Sequence, residues 1–155
     1  MLTQLARVSL DADGRFATAT ELQFIKDYLE SADHRISAYE KIRDAEEQII
    51  DQIEEKALAK NARVFHKGTR DMVKTCRRDR KHLLKSSAAA MLVSDLDRLR
   101  DSMLLWQRTL INAFQDQQTS QIVSQVMPKV MEQQLTPEEA KQMTPALQLS
   151  QALLS

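Results

Sequence analysis

The residues of this sequence best suited to chemistry are consecutive: Cys76, Arg77, Arg78 and Asp79. Cys76 is the only cysteine of the 155 residues, and neighbouring cations favour the thiolate, the nucleophilic form of a cysteine. Residues three apart share a helix face, so we expect Asp79 one turn from Cys76 on the same side. A molecule attached to the sulfur would therefore meet a carboxylate.

Arg78 has the reach to curl round the helix, and its guanidinium is a forked donor suited to carboxylates. A linear tetrapyrrole fits such a set, because its pyrrole N–H groups can donate to Asp79 while its propionates pair with Arg78. Arg77 and His82 complete the candidate binding residues. The sequence leaves a simpler interpretation open, in which Cys76 is a buried helical thiol beside a solvated basic face.

The elements that carry these residues are expected to be helices. The chain has only two Gly and three Pro and is 43% hydrophobic, a composition that favours helix and one all-α domain. The segment from Ser31 to Ala57 reads as one long helix, with Glu54 on its solvated face and no strand signal anywhere. Apolar spacing places Trp106 and Tyr28 in the core. Helix starts are expected at Thr20, Ser31, Thr69, Ser94 and Thr136.

Several classes of function are disfavoured. His34, His66 and His82 lie at no metal-ligand spacing, and no catalytic set or phosphate loop is present, so an enzyme is not expected. No apolar run of about 18 residues occurs, which predicts a protein peripheral to a membrane at most. The start of the chain does not read as a secretory signal, and a single cysteine suits a reducing compartment.

Positive charge is concentrated in residues 61–85, which hold nine Lys and Arg against two Asp and Glu, although the net charge of the chain is zero. Such asymmetry indicates an anionic partner, a complementary protein surface or simple solvation. Nucleic-acid binding is not expected, because no aromatic residue is interleaved with the basic run at 74–85 and Leu83 and Leu84 share a side with Cys76.

The chain resembles the phycobiliproteins, most closely the allophycocyanin kind. Cys76-Arg77-Arg78-Asp79 looks like that family's Cys-x-Arg-Asp chromophore signature. Asp13-Gly14-Arg15-Phe16 is similar to the turn after its first helix, and Ala90-Met91-Leu92-Val93-Ser94-Asp95 to its Ala-Met-Leu-Ala-Gly-Asp segment. Weaker counterparts include Pro137 to Met143, so the likeness extends over nearly the whole chain.

The resemblance implies a globin-like helical core at residues 32–155, preceded by a helical extension at 1–31 that pairs subunits. It implies light harvesting or photoprotection by phycocyanobilin or a related bilin, with a thioether at Cys76, a propionate on Arg78 and the inner pyrrole nitrogens on Asp79. The implied partners are phycobiliprotein subunits, further copies of the chain in a dimer or higher oligomer, and photosystem or linker proteins. The implied location is the cytoplasmic side of a cyanobacterial thylakoid, or the plastid stroma.

One departure from the family's pattern keeps a second function open. Where the family has paired tyrosines just beyond the signature, this chain has His82-Leu83, and aromatic residues make up only 5% of it. A bilin needs rigid packing to hold its excitation. The alternative is therefore a pigment-free adapter, or an assembly or degradation factor, for the phycobilisome or a photosystem.

Overall fold

The computed structural model describes residues 1–155, and its almost entirely helical structure confirms the all-α class. A π-helical turn (Arg100–Leu104) joins two of the helices into one rod. No helix combines the length and the apolar character that crossing a bilayer requires. The helices are α1 (Leu2–Asp11), α2 (Gln23–Glu30), α3 (Ala32–Asp44), α4 (Glu46–Lys60), α5 (Val73–Leu92), α6 (Leu96–Leu99), α7 (Leu105–Phe114), α8 (Gln117–Gln134) and α9 (Pro137–Leu154).

The hydrophobic core lies between α3, α4, α5, α8 and α9, which pack on one another. Ile49 and Ile53 from α4 are fully buried, as expected from their spacing along one helix face. They meet side chains of the later helices, including Met131 from α8 and Met143 from α9, in one continuous apolar cluster. The helix that carries Cys76, α5, packs against both α3 and α9.

The helices α1 and α2 bury no residue. The turn expected at Asp13-Gly14 is confirmed, with Gly14 at φ 76°, a backbone conformation that glycine adopts without strain. The extension is held to the core by polar contacts, in which the backbone N–H of Thr3 donates to Asp95 (2.8 Å) and Arg7 pairs with Asp97 (2.8 Å). The division of the chain at residue 31 stays a prediction.

The start of α9 at Thr136 is confirmed by a full capping box. The hydroxyl of Thr136 accepts from the backbone N–H of Glu139, and the Glu139 carboxylate accepts from the backbone N–H of Thr136 (2.8 Å). Pro137 occupies the first helical position, where its missing N–H costs nothing. The residues that predicted this helix start are also the ones that satisfy free backbone N–H groups there.

Two expected starts need correction. The single long helix from Ser31 is wrong, because the chain breaks at Ala45 into α3 and α4. Ser31 does not cap α3 either, since its hydroxyl donates back to the carbonyl of Asp27 (2.7 Å). Ser94 has φ 49° and precedes the true cap, Asp95, whose carboxylate accepts from the backbone N–H of Arg98 (3.2 Å).

The expectation of no strand, and of a cap at Thr69, is also wrong. A short hairpin of β1 (His66–Lys67) and β2 (Arg70–Asp71) precedes α5, and Gly68 takes a positive φ of 60° in its turn. Thr69 belongs to this turn, and the next helix begins only at Val73. The Asp71 carboxylate accepts from the backbone N–H of Val73 (2.9 Å) and so satisfies the start of α5.

Neither expected aromatic core residue is buried. Trp106 is 55% exposed. The π-helical turn before it inserts an extra residue and thereby rotates α7. Met103 and Leu104 therefore face the core, and Trp106 faces outward. Tyr28 is half-buried beneath the Arg35 guanidinium, 4.0 Å from its ring centroid. A shift in helix period of this kind leaves no simple mark in the sequence.

Candidate functional site

Cys76 lies in the first turns of α5, on the side of the helix that faces the core. The residues one, two and three turns further along this side, Arg80, Leu83 and Ser87, are buried. Cys76 itself is half-buried and packs against the core cluster. The side chains around the sulfur therefore come from the interior as well as from the exposed basic run.

The expectation that neighbouring cations hold Cys76 as a thiolate is wrong. Burial raises the pKa of the Cys76 thiol above its usual value, and the nearby carboxylates of Asp116 and Asp79 raise it further. Arg80 acts in the opposite direction but does not offset the burial. The basic residues at 77 and 78 point elsewhere, so the thiol is the resting form.

Asp79 and Arg78 lie at the surface beside Cys76. Asp79 follows the cysteine by one helical turn, and the Arg78 guanidinium pairs with its carboxylate (Nη2 to Oδ1, 3.2 Å). The Arg78 side chain is 78% exposed and that of Asp79 is 50% exposed, so this pair is weak and opens readily. When the pair opens, Arg78 can bind a carboxylate of a ligand and Asp79 can accept hydrogen bonds from its N–H donors.

Arg77 does not join them. Its guanidinium binds three carboxylates on α4, those of Glu47 (2.9 Å), Asp51 (2.8 Å) and Glu54 (2.8 Å). Hydrogen bonds that Arg77 donates to Glu47 and Asp51 raise the pKa of Arg77 above its ordinary range. The role of Arg77 in ligand binding stays a prediction, and the structure places it in the contact between α4 and α5.

This contact continues along both helices. Arg80 and Lys81 pair with Glu54 and Glu47, and Lys85 pairs with Glu46 (3.2 Å). Much of the positive charge at 61–85 thus faces a complementary surface of the same chain, one of the three explanations left open by the sequence. The expected solvation of Glu54 is wrong, since its side chain is only 16% exposed.

Sequence reasoning missed Arg80 and Glu54 as members of this neighbourhood. The signal was present as matched spacing. Acids at 47, 51 and 54 on one helix repeat every three or four residues, and bases at 77, 81 and 85 on the other repeat every four. Two such stripes can meet when their helices pack side by side.

A family model described as phycobilisome protein matches residues 7–153 of the chain. The chain belongs to the phycobilisome protein family. No curated protein matches the sequence. The resemblance and the globin-like fold class expected from the sequence are therefore confirmed, and the chain is a phycobiliprotein. Members of this family bind bilins and harvest light together with other such subunits.

The donor set of this phycobilisome protein suits a linear tetrapyrrole in type. Cys76 offers a sulfur for a tether, Asp79 an acceptor for pyrrole N–H groups, and Arg78 an exposed cation for a propionate. No ion pair with another helix engages Arg78 or Asp79, in contrast to Arg77. The residues therefore fit the group, although their individual roles stay predictions.

His82 lies away from the sulfur, on the exposed side of α5. It lines two open surface depressions, of about 690 Å³ and about 410 Å³. The larger is lined by basic residues of α5, and the smaller lies between α3 and α5 beside Tyr39 and Ile42. Neither depression includes Cys76 or Asp79.

Proposed function

We propose that the chain is an allophycocyanin-like bilin-binding subunit, with phycocyanobilin or a related open-chain tetrapyrrole joined by a thioether to Cys76. It serves light harvesting with energy transfer, or photoprotection, and catalyses no reaction. The observation that carries this proposal is the position of Asp79, one turn from Cys76 with its carboxylate half exposed. An acid there meets the inner nitrogens of a pigment held at the sulfur.

Arg78 binds a propionate in this proposal. A surface ion pair such as Arg78–Asp79 contributes roughly 0–1 kcal/mol, so a ligand that offers both a carboxylate and N–H donors replaces it at little cost. Asp79 then stabilises the cationic form of the conjugated system. Arg77 supports the site indirectly by holding α5 against α4, and His82 lies further along the exposed face.

The protein assembles with phycobiliprotein subunits or with itself in this proposal, and photosystem or linker proteins are further candidate partners. The extension formed by α1 and α2 supports such assembly, since Leu10 is 76% and Leu29 65% exposed in the single chain. Large apolar side chains that a single chain leaves exposed can be buried against a partner. The proposed location is the cytoplasmic side of the thylakoid, or the plastid stroma.

Co-expression with phycocyanobilin synthesis and a lyase tests the proposal. A denaturing gel inspected under zinc should show an orange fluorescent band for the wild type and none for Cys76→Ala. Thr75→Ala, which changes the exposed neighbouring side chain, is the matched control and should keep the band. A wild-type chain without the band, or a band that survives Cys76→Ala, contradicts the thioether.

A second candidate is a pigment-free adapter, or an assembly or degradation factor, for the phycobilisome or a photosystem. The partial burial of Cys76 against the core favours it, as does the absence of Phe, Tyr and Trp on α5 itself. Purification from the native host separates the two. Colourless protein recovered with antenna or photosystem subunits supports the adapter, whereas coloured protein supports the bilin carrier.

A further inference from the structure

Arg80 is a buried cation on the face of α5 that carries Cys76. It follows the cysteine by four residues and is only 4% exposed. One nitrogen, Nη2, donates to the Glu54 carboxylate, and the guanidinium stacks on the Phe65 ring, 4.2 Å from its centroid. These two contacts fix the orientation of the group.

One donor of this fixed group is unused. The Nε–H of Arg80 is buried and has no hydrogen-bond partner. Buried donors are nearly always paired, because an unpaired one loses its hydration without compensation. This orphaned donor lies one turn from the thiol and is free for an acceptor, which the ionised sulfur or an attached molecule would supply.

The charges that act on Cys76 come from two helices. Asp116 at the start of α8 and Asp79 on α5 both oppose ionisation of the thiol, while Arg80 favours it. Glu54 on α4 contacts Arg80, not the sulfur. Arg80 is thus the cation that favours the thiolate, whereas burial and two carboxylates favour the neutral thiol.

We propose that Arg80 is a positioning residue for covalent chemistry at Cys76, where its buried guanidinium stabilises the thiolate and its free Nε–H donates to the anion. This inference rests on the proposed function. The thiolate adds to an electron-poor C=C bond of the open-chain tetrapyrrole, so that an S–C bond forms and the π bond breaks. The proton lost from the sulfur ends on the neighbouring carbon, and no oxidant or reductant is needed.

The pigment-free full chain tests this proposal, since iodoacetamide can alkylate only one thiol, with the loss of iodide. The alkylation rate is measured across pH for wild type, Arg80→Met and Arg80→Lys. An opposite charge at close range shifts a pKa by about one unit or more, so Arg80→Met should slow alkylation at pH 8 about tenfold and move the profile to higher pH. Arg80→Lys keeps the charge and should restore most of the rate.

Two further variants keep the test decisive. Asp116→Asn removes an opposing charge but keeps an acceptor for Thr119 Oγ1, and should accelerate alkylation about threefold or more. Arg108→Met, on the exposed side of α7, makes the same substitution away from the site and should change nothing.

An unchanged or faster alkylation rate in Arg80→Met would overturn the proposal, because Arg80 would then not stabilise the thiolate. Alkylation of Arg80→Lys as slow as that of Arg80→Met would overturn it as well, because the charge at position 80 would then not matter. If Arg80→Met does not fold, an unchanged rate in Asp116→Asn would overturn it, because the thiol would then not respond to nearby charge. Alkylation that behaves as expected in a chain that never acquires a zinc-fluorescent band refutes the proposed function alone.

Discussion

Glu139 offers the sharpest test of how the fold holds α5 in place. Its carboxylate is 4% exposed and accepts hydrogen bonds from Ser37 (2.6 Å) and Lys41 (2.8 Å) on α3, as well as from the backbone at Thr136. It thereby joins α9 to α3, and both helices pack on α5. Removing the charge of Glu139 should weaken the packing of α3 and α9 around α5, the helix that carries Cys76.

The magnitude follows from the pKa of Glu139. Burial alone would raise that pKa, but the bonds from Lys41, Ser37 and Thr136 lower it from 4.5 to about 2. A shift of this size corresponds to about 3 kcal/mol of stability at pH 7. Because Lys41 is 44% exposed, solvent screens part of this, and we expect Glu139→Gln to lose about 2 kcal/mol.

The pH dependence has a definite sign. A carboxyl whose pKa is lowered in the folded state contributes its stability above pH 4.5 and loses it as the pH falls toward 2. Glutamine does not titrate. The difference in unfolding free energy between wild type and Glu139→Gln should therefore shrink to about 1 kcal/mol at pH 3.

Urea unfolding followed by circular dichroism at pH 7, 5 and 3 measures this difference. Glu138→Gln changes the exposed neighbour in the same helical turn and should cost no more than about 0.5 kcal/mol at any of these pH values. Equal losses for Glu139→Gln at pH 7 and pH 3, or no loss at pH 7, would refute the reasoning.

Three further predictions concern stability, each measured by urea unfolding. Ser94→Gly should stabilise the chain by about 0.5–1 kcal/mol relative to Ser94→Ala, because only glycine adopts φ 49° without strain; equal stabilities would contradict this. Trp106→Ala should cost under about 1 kcal/mol, because the side chain is exposed. A loss of roughly 3–5 kcal/mol, as for a buried aromatic, would instead place Trp106 in the core. Glu54→Gln should cost about 2–4 kcal/mol, since it leaves Arg80 buried beside a neutral group. Glu55→Gln, at an exposed neighbour, should leave stability nearly unchanged, and similar effects of the two variants would be inconsistent with the α4–α5 contact.

The parts of the fold that the sequence predicted are those with a local physical cause. The cap at Thr136 needs only its own first turn, and the turn at Gly14 needs only a residue that tolerates positive φ. The all-α class follows from composition and from apolar spacing. The three-residue spacing placed Cys76 and Asp79 one turn apart on a helix.

The parts that the sequence did not predict either carry no local signal or depend on distant contacts. Ala45 breaks a helix without any Gly or Pro, so no local signal marks it. The outward turn of Trp106 follows from a π-helical turn several residues earlier. The protonation of Cys76 depends on Asp116, forty residues away in sequence, and on packing that only the assembled core supplies.

The attachment of a pigment to Cys76 is tested most directly by protein purified from its host. The visible absorption spectrum is recorded first, and the peptide that contains Cys76 is then identified by mass spectrometry. We predict a visible absorption band and one tetrapyrrole on that peptide. A colourless protein whose Cys76 carries an unmodified thiol would contradict the bilin-binding function.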